Sequence, residues 1–175
     1  MQFKLSNLIG LLAVAGTALS LDVATSLDGY SALAHDIGLT AKSIELLNGF
    51  QTGQELVDGY HSLVKSENKG YSQAQDAQAL STDQQQAACN SFVTYASVLT
   101  DTLKITIGKH GVLEAVGIAY PIAAVLRGLE GTTDTIAYTL IADLAPSCGD
   151  SLKDTKSSLD KVMTKAINTF ADGLA

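Results

Sequence analysis

The stretch LEAVGIAYPIAAVLRGLEGTTDTIAYTLIADL, residues 113–144, decides the fold. Its apolar residues recur at steps of three, four or seven, which is the spacing of one face of an α-helix. They are Ile122, Val125, Leu126, Leu129, Ile136, Leu140 and Leu144. Pro121 suits the first helical position and Pro146 follows the end, so we predict a helix from about Pro121 to Ala145. Its five charged residues recur too often for a membrane span, which needs about eighteen or more apolar residues in a row.

The same spacing predicts helices along the rest of the chain. A first helix runs from Val23 to near Gly49, and a second follows a sequence of capping-box form at residues 52–55. A third begins at another capping box, residues 81–84, and the last begins near Asp150. No segment alternates apolar and polar residues as a strand would. The sequence therefore predicts an all-α fold, an antiparallel bundle of about five long helices.

Two features of this pattern leave alternatives open. Thr132 and Thr133 beside Gly131 either bend the central helix or split it into two shorter helices, and the sequence leaves open whether the helix is continuous over residues 128–133. The many glycines within helices indicate either an apolar cavity or a close approach between helices, and the sequence favours neither.

Composition narrows the possible functions. The chain has 175 residues, of which 46% are apolar, enough for one domain with a substantial core. Its formal net charge of −7 argues against binding to nucleic acid or to an anionic membrane, since both require basic patches.

The first twenty residues have the form of a secretory signal peptide. Lys4 supplies the positive start, residues 8–15 the short apolar core, and residues 16–20 a small-residue cleavage site. We therefore expect a signal peptide at 1–20, a single domain at 21–175, and secretion. In a secreted protein, Cys89 and Cys148 are expected to form a disulfide, the alternative being two buried thiols.

No recognisable catalytic or metal-binding motif is found. The sequence has no G-x-S-x-G, H-E-x-x-H, phosphate-loop or calcium-loop pattern, and the histidines 35, 61 and 110 are scattered. We predict a protein that is not an enzyme and needs neither metal nor cofactor.

The chain resembles the fungal hydrophobic surface binding protein A family, which includes the cell wall galactomannoproteins. The matching residues are Leu126, Leu129, Thr133, Asp134, Leu140, Pro146, Leu159, Ala166, Ile167 and Phe170, with Asp28, Ile37, Leu99, Thr100 and Asp101 at similar positions upstream. The resemblance implies a secreted helical bundle without enzyme activity. It also implies adsorption to hydrophobic solid surfaces, recruitment of a secreted esterase such as a cutinase, or fatty acids held in a cavity between helices.

The end of the chain differs from that of the galactomannoproteins. It stops at residues 173–175 without a Ser/Thr-rich stalk or an anchor-attachment tail, and no N-x-S/T glycosylation acceptor occurs. We therefore expect free secretion to the extracellular space, with association with the cell wall as the alternative that the resemblance implies.

Our first functional hypothesis is a secreted binder of fatty acids or other lipids. Twelve apolar residues are predicted to line the cavity, although each would look the same in a dry core. These predicted lining residues are Phe92, Tyr95, Leu99, Leu103, Ile122, Leu126, Leu129, Ile136, Leu140, Leu159, Met163 and Phe170. The candidates for binding a ligand's head group are Arg127, Lys104, Lys109 and His110, since cationic groups suit a carboxylate.

The second hypothesis is a protein–protein interaction module, an effector or an adaptor. It requires an exposed apolar patch, for which the segment from Val112 to Ile118 is the best candidate.

Overall fold

The computed structural model describes residues 23–74 and 80–171, and the described residues are helical apart from short turns. Five helices follow one another: α1 (Val23–Lys42), α2 (Gly49–Ala74), α3 (Thr82–Gly108), α4 (His110–Ala115) and α5 (Ala119–Ala171). α5 loses helical dihedral angles at Cys148, which divides it into a first arm, 119–147, and a second arm, 149–171. The predicted all-α fold is confirmed. The predicted signal peptide lies outside the described residues.

The long helices form an antiparallel bundle. α1, α2, α3 and the two arms of α5 run alternately up and down, and α1 and α5 each pack against both α2 and α3. Their buried side chains make one continuous apolar core. One end of the bundle carries α4 and the α1–α2 turn, and we call it the α4 end. The opposite end, which carries the bend at Cys148, is the disulfide end.

A disulfide joins Cys89 near the start of α3 to Cys148 at the bend of α5. The Cα atoms of the two residues are 6.4 Å apart, within the range that disulfides span. The sequence-based pairing is thus confirmed, and the bridge ties α3 to both arms of α5.

Of the two predicted capping boxes, the one at residues 81–84 forms and the one at residues 52–55 does not. At Ser81, the side chain accepts a hydrogen bond from the Gln84 N–H, and the Gln84 side chain accepts one from the Ser81 N–H, as predicted. The predicted box at 52–55 does not form, because Thr52 already lies inside α2 and its N–H donates to the Asn48 carbonyl. α1 correspondingly ends at Lys42, earlier than predicted.

Side-chain hydrogen bonds fold the α1–α2 turn where the sequence predicts continuous helix. The Asn48 side chain accepts from the Glu45 N–H at 2.7 Å and donates to the Ser43 carbonyl at 3.0 Å. From the junction of α3 and α4, Lys109 Nζ donates to the Ile44 carbonyl at 2.8 Å. Asparagine competes for backbone groups in this way, which favours a turn over a helix.

Residues 112–118, the predicted apolar patch, form most of α4 and the turn after it. Gly117 has φ +76°, a left-handed conformation that suits glycine, and it separates α4 from α5. The first arm of α5 continues as helix through residues 128–133, so the glycines there do not interrupt it.

Several glycines permit close helix packing. A Cβ atom at Gly38 would lie 2.9 Å from Thr102 Oγ1, and one at Gly59 would lie 3.0 Å from Ile37 Cγ1. At these two positions, close approach between helices explains the glycine. By contrast, Gly128 faces open space.

A buried lysine connects the two arms of α5. Lys156 Nζ lies 3.0 Å from an Asp134 oxygen and 2.6 Å from an Asp160 oxygen, and 4.4 Å from the centre of the Tyr138 ring. Burial acts to lower the pKa of Lys156, but its hydrogen bonds to Asp160 and Asp134 outweigh that effect and raise the pKa. The ammonium group therefore stays charged and holds the arms together.

Candidate functional site

The predicted lining residues come together in the core of the bundle. All twelve lie in the single apolar cluster, and none is more than 3% exposed. They come from α3 and from both arms of α5, and α3 and α5 pack against each other. That they contact a ligand stays a prediction.

The core also contains side chains from α1, α2 and α4 that the sequence-based selection left out. Leu27, Leu56, Tyr60, Leu63 and Leu113 are all buried in the same cluster. The first four lie on stripes with helical spacing, so the signal was available in the sequence.

The four head-group candidates occupy different places. Arg127 is exposed on the first arm of α5, and Lys104 is exposed on α3, where it pairs with Asp101 at 3.2 Å. Lys109 and His110 lie at the α4 end beside the core, and Lys109 already donates to the Ile44 carbonyl. The structure therefore places His110 best for contact with a ligand in the core.

His110 has an unsatisfied buried nitrogen. Its Nδ1 lies 3.9 Å from a Glu114 carboxylate oxygen, and its ring packs edge-on against Phe170 with centroids 5.2 Å apart. Its Nε2 is buried and has no hydrogen-bond partner, the one such side-chain atom in the described part of the chain. Buried polar atoms are nearly always hydrogen-bonded. A polar ligand group at the α4 end would give this nitrogen a partner.

A buried carboxyl group, which the sequence analysis missed, lies deeper in the bundle. Glu67 of α2 is 0% exposed, and its Oε1 accepts hydrogen bonds from Tyr95 at 2.5 Å and from Thr133 at 2.9 Å. Its Oε2 accepts one from Thr132. Burial raises the pKa of Glu67 to about 7, and these hydroxyl hydrogen bonds partly oppose the rise. Glu67 lies three residues beyond Val64, four beyond Leu63 and seven beyond Tyr60, and this spacing already put it on the apolar face of α2.

Tyr30 extends this group of polar side chains to α1. Its ring packs edge-on against Tyr95 at 5.7 Å, and its hydroxyl donates to the Ser66 carbonyl at 3.3 Å. We call the set Tyr30, Glu67, Tyr95, Thr132 and Thr133 the polar layer. It crosses the bundle through α1, α2, α3 and the first arm of α5.

The predicted apolar patch at 112–118 is only partly exposed. Leu113 and Ile118 are buried, because α4 packs on the start of α2 at Gly49 and Gly53. Larger exposed apolar side chains lie beside it at the α1–α2 turn: Leu46, Leu47 and Phe50. Leu47 is 99% exposed.

The outer surface carries a small cleft of mixed character. It lies between α1 and α3, encloses about 180 Å³, and is lined by His35, Gly38, Lys42, Val98, Asp101, Thr102 and Ile105. Within residues 23–74 and 80–171, no helix is long and apolar enough to cross a membrane. In that same part of the chain, acidic, histidine and cysteine residues form no group of three or more suited to a metal ion.

Comparison with known proteins relates the fold to a fatty-acid complex. No protein-family model matches the chain, and no curated protein sequence does. Among solved structures, the chain is similar to Afmp4p of Aspergillus fumigatus, crystallised in complex with palmitic acid. The TM-score is 0.74 at 15% sequence identity, and the similarity covers 86% of this chain and 99% of the other. The two proteins therefore share a helical fold.

Proposed function

We propose that this protein binds long-chain fatty acids, with the acyl tail between the helices and the carboxylate at the α4 end. The observation that carries the proposal is His110, whose buried Nε2 lacks a partner where the apolar core ends at Phe170. The fold shared with a protein that was crystallised with palmitic acid supports the same ligand class.

Apolar contact supplies enough free energy for such binding. Burying the tail of palmitic acid gives roughly 12 kcal/mol at about 0.8 kcal/mol per methylene group, before the cost of association. A single polar contact is then sufficient to orient the ligand. One hydrogen bond to a charged group contributes about 1.5–3 kcal/mol.

Access to the core is proposed to occur through α4. This helix has six residues, follows α3 directly and is separated from α5 by the left-handed Gly117. It carries His110 and the buried Leu113, so its displacement would uncover the core and the head-group contact together.

The proposal includes a biological setting that follows from the sequence. We propose secretion after removal of residues 1–20, membership of the hydrophobic surface binding protein A family, and no enzyme activity. Recruitment of a secreted esterase such as a cutinase belongs to the same proposal. The residues quoted for the family resemblance support this setting.

The second candidate function is docking of a protein or adsorption to a hydrophobic solid surface. It is favoured by Leu46, Leu47 and Phe50, which are bare at the α1–α2 turn next to α4. Such exposed apolar side chains are typical of interaction sites when they are contiguous.

Native mass spectrometry and calorimetry of delipidated protein test the first proposal. We expect a one-to-one palmitic acid adduct. His110→Leu should weaken palmitic acid binding about tenfold or more, because a hydrogen bond to the carboxylate is lost. Methyl palmitate binding should change little, and His61→Leu, on the exposed side of α2, serves as the matched control. Failure of the wild-type protein to bind palmitic acid would refute the proposal and favour the docking function.

A further inference from the structure

The polar layer lies within the continuous apolar core, at one level along the bundle axis. Three hydroxyl groups, from Tyr95, Thr132 and Thr133, donate to the one carboxyl group of Glu67. Glu67 and Thr133 are buried, and the described residues give the carboxyl group hydroxyl partners and no cation. A fully hydrogen-bonded buried cluster of this kind resists separation, since each parted group would lose its partner away from water.

The layer lies at a defined depth from the α4 end. Tyr95 is about 20 Å along α3 from the end of that helix at Gly108, at about 1.5 Å per residue. Thr132 is also about 20 Å along α5 from its start at Ala119, by the same rise per residue. This depth is comparable to the length of an extended palmitic acid molecule.

The layer divides ten of the twelve predicted lining residues into two groups. Of the other two, Tyr95 belongs to the layer, and Leu159 lies near its level, three residues after Lys156, which pairs with Asp134. Helix direction places seven of them between the layer and the α4 end: Leu99, Leu103, Ile122, Leu126, Leu129, Met163 and Phe170. Phe92, Ile136 and Leu140 lie on the side of the disulfide. An acyl chain that enters at His110 meets the first group and stops at the layer.

We propose that the polar layer is the floor of the fatty-acid compartment and sets the longest acyl chain that the protein accepts. This inference rests on the proposed function. The distance from the α4 end to the floor matches an acyl chain of about the length of palmitic acid. A longer chain can push its terminal methylene groups between Glu67 and its hydroxyl partners, or it can leave the carbons next to its carboxylate exposed to water at the α4 end. Both outcomes lower its affinity.

The floor can be removed with little damage to the fold. In the triple variant Glu67→Leu, Tyr95→Phe and Thr133→Val, the carboxyl group and its two buried hydroxyl partners are removed together, so neither Tyr95 nor Thr133 is left with an unpaired hydroxyl group. Thr132 keeps a hydrogen bond to the Leu129 carbonyl at 3.1 Å. The variant therefore exposes an apolar path toward the disulfide end.

The test measures affinity for saturated fatty acids from lauric to docosanoic acid. We expect the wild-type protein to bind palmitic acid at least about tenfold more tightly than docosanoic acid, the loss expected for one broken buried hydrogen bond. The triple variant should bind the two acids with similar affinity.

Two truncations test the floor without altering it, in case the triple variant does not fold. Leu126→Ala enlarges the core above the layer and should raise the relative affinity for chains slightly longer than palmitic acid. Leu144→Ala removes the same atoms from the same arm beyond the layer and should leave the preference unchanged. If the preferred acyl-chain length shifted equally in the two variants, or if the wild-type protein had no preference for chain length, the proposed floor would be wrong while fatty-acid binding would stand. No binding at any length would overturn the proposed function and the floor with it.

Discussion

At the scale of single residues, the buried carboxyl of Glu67 is the strongest departure from what its residue type predicts. A glutamate is normally solvated, so a sequence-based selection of core residues omits it even when its spacing is apolar. The same selection identified the large aliphatic residues of the core, because residue type and spacing agree there. His110 was a sequence-based candidate, but its orphan nitrogen depends on packing against Phe170, a contact between distant parts of the chain.

Glu67 makes stability depend on pH. Its pKa rises from 4.5 to about 7 on folding, so the folded protein holds a proton that the unfolded chain releases between these values. Stability is therefore greatest below about pH 4.5 with respect to this group and is lost as the pH rises through 7. The loss is on the order of 3 kcal/mol.

Glu67→Gln is expected to abolish the pH dependence of stability that Glu67 causes, because the amide stays neutral and its carbonyl oxygen still accepts hydrogen bonds from the hydroxyl groups. Urea unfolding of the wild-type protein and the variant at about pH 5 and about pH 8 measures the difference. Between the lower and the higher pH, the free energy of unfolding of the wild-type protein should fall by on the order of 3 kcal/mol more than that of the variant. Glu55→Gln, on the exposed side of α2, should follow the wild-type curve. Parallel pH curves for wild-type protein and Glu67→Gln would contradict the argument.

At the scale of helices, apolar spacing predicted the long elements, but side-chain bonds to the backbone set their ends. Two capping-box sequences looked alike, and only the one at Ser81 forms. The other lies inside α2, because Asn48 bonds with Glu45 and Ser43 and α2 begins at Gly49, four residues before the start that the box predicts. Such competition is decided by the folded turn and is not visible in the spacing of apolar residues.

Gly53 is predicted to control the packing of α2 on α4. A Cβ atom there would lie 3.0 Å from Leu113 and 3.1 Å from Ile118, both buried. Gly53→Leu should therefore cost about 1–3 kcal/mol of unfolding free energy through overpacking. Gly128→Leu, where no atom lies within 4 Å, should instead gain up to about 1 kcal/mol from helix propensity. Chemical denaturation of both variants tests the contrast, and a stabilised Gly53→Leu would contradict the packing described.

At the scale of the whole molecule, the sequence predicted the fold class, the bundle and the disulfide. Those follow from local spacing, from the signal-like leader and from an even cysteine count. The positions of the polar layer and of His110 relative to the core could not be predicted, since they depend on how four helices align along the bundle axis. Composition likewise left open whether the glycines indicate a cavity or close packing, and Gly38 and Gly59 show close packing.

The disulfide is expected to contribute strongly to stability. It links residues 59 positions apart, and closing a loop of that size stabilises the folded state by on the order of 4 kcal/mol in the chain-entropy description. The double variant Cys89→Ala, Cys148→Ala should lose about that much in urea unfolding. Wild-type protein under reducing conditions should match the variant. An unchanged midpoint in both would show that the bridge adds nothing to stability.

The placement of the bridge gives the bundle unequal stiffness along its long axis. Covalent bonding fixes one extremity, whereas the other is held by α4, a helix of six residues beside a left-handed glycine. We therefore expect the helices to separate more readily at the α4 end, which carries His110, than at the disulfide end. Local opening at the α4 end would then leave the alignment of the helices at the disulfide end unchanged.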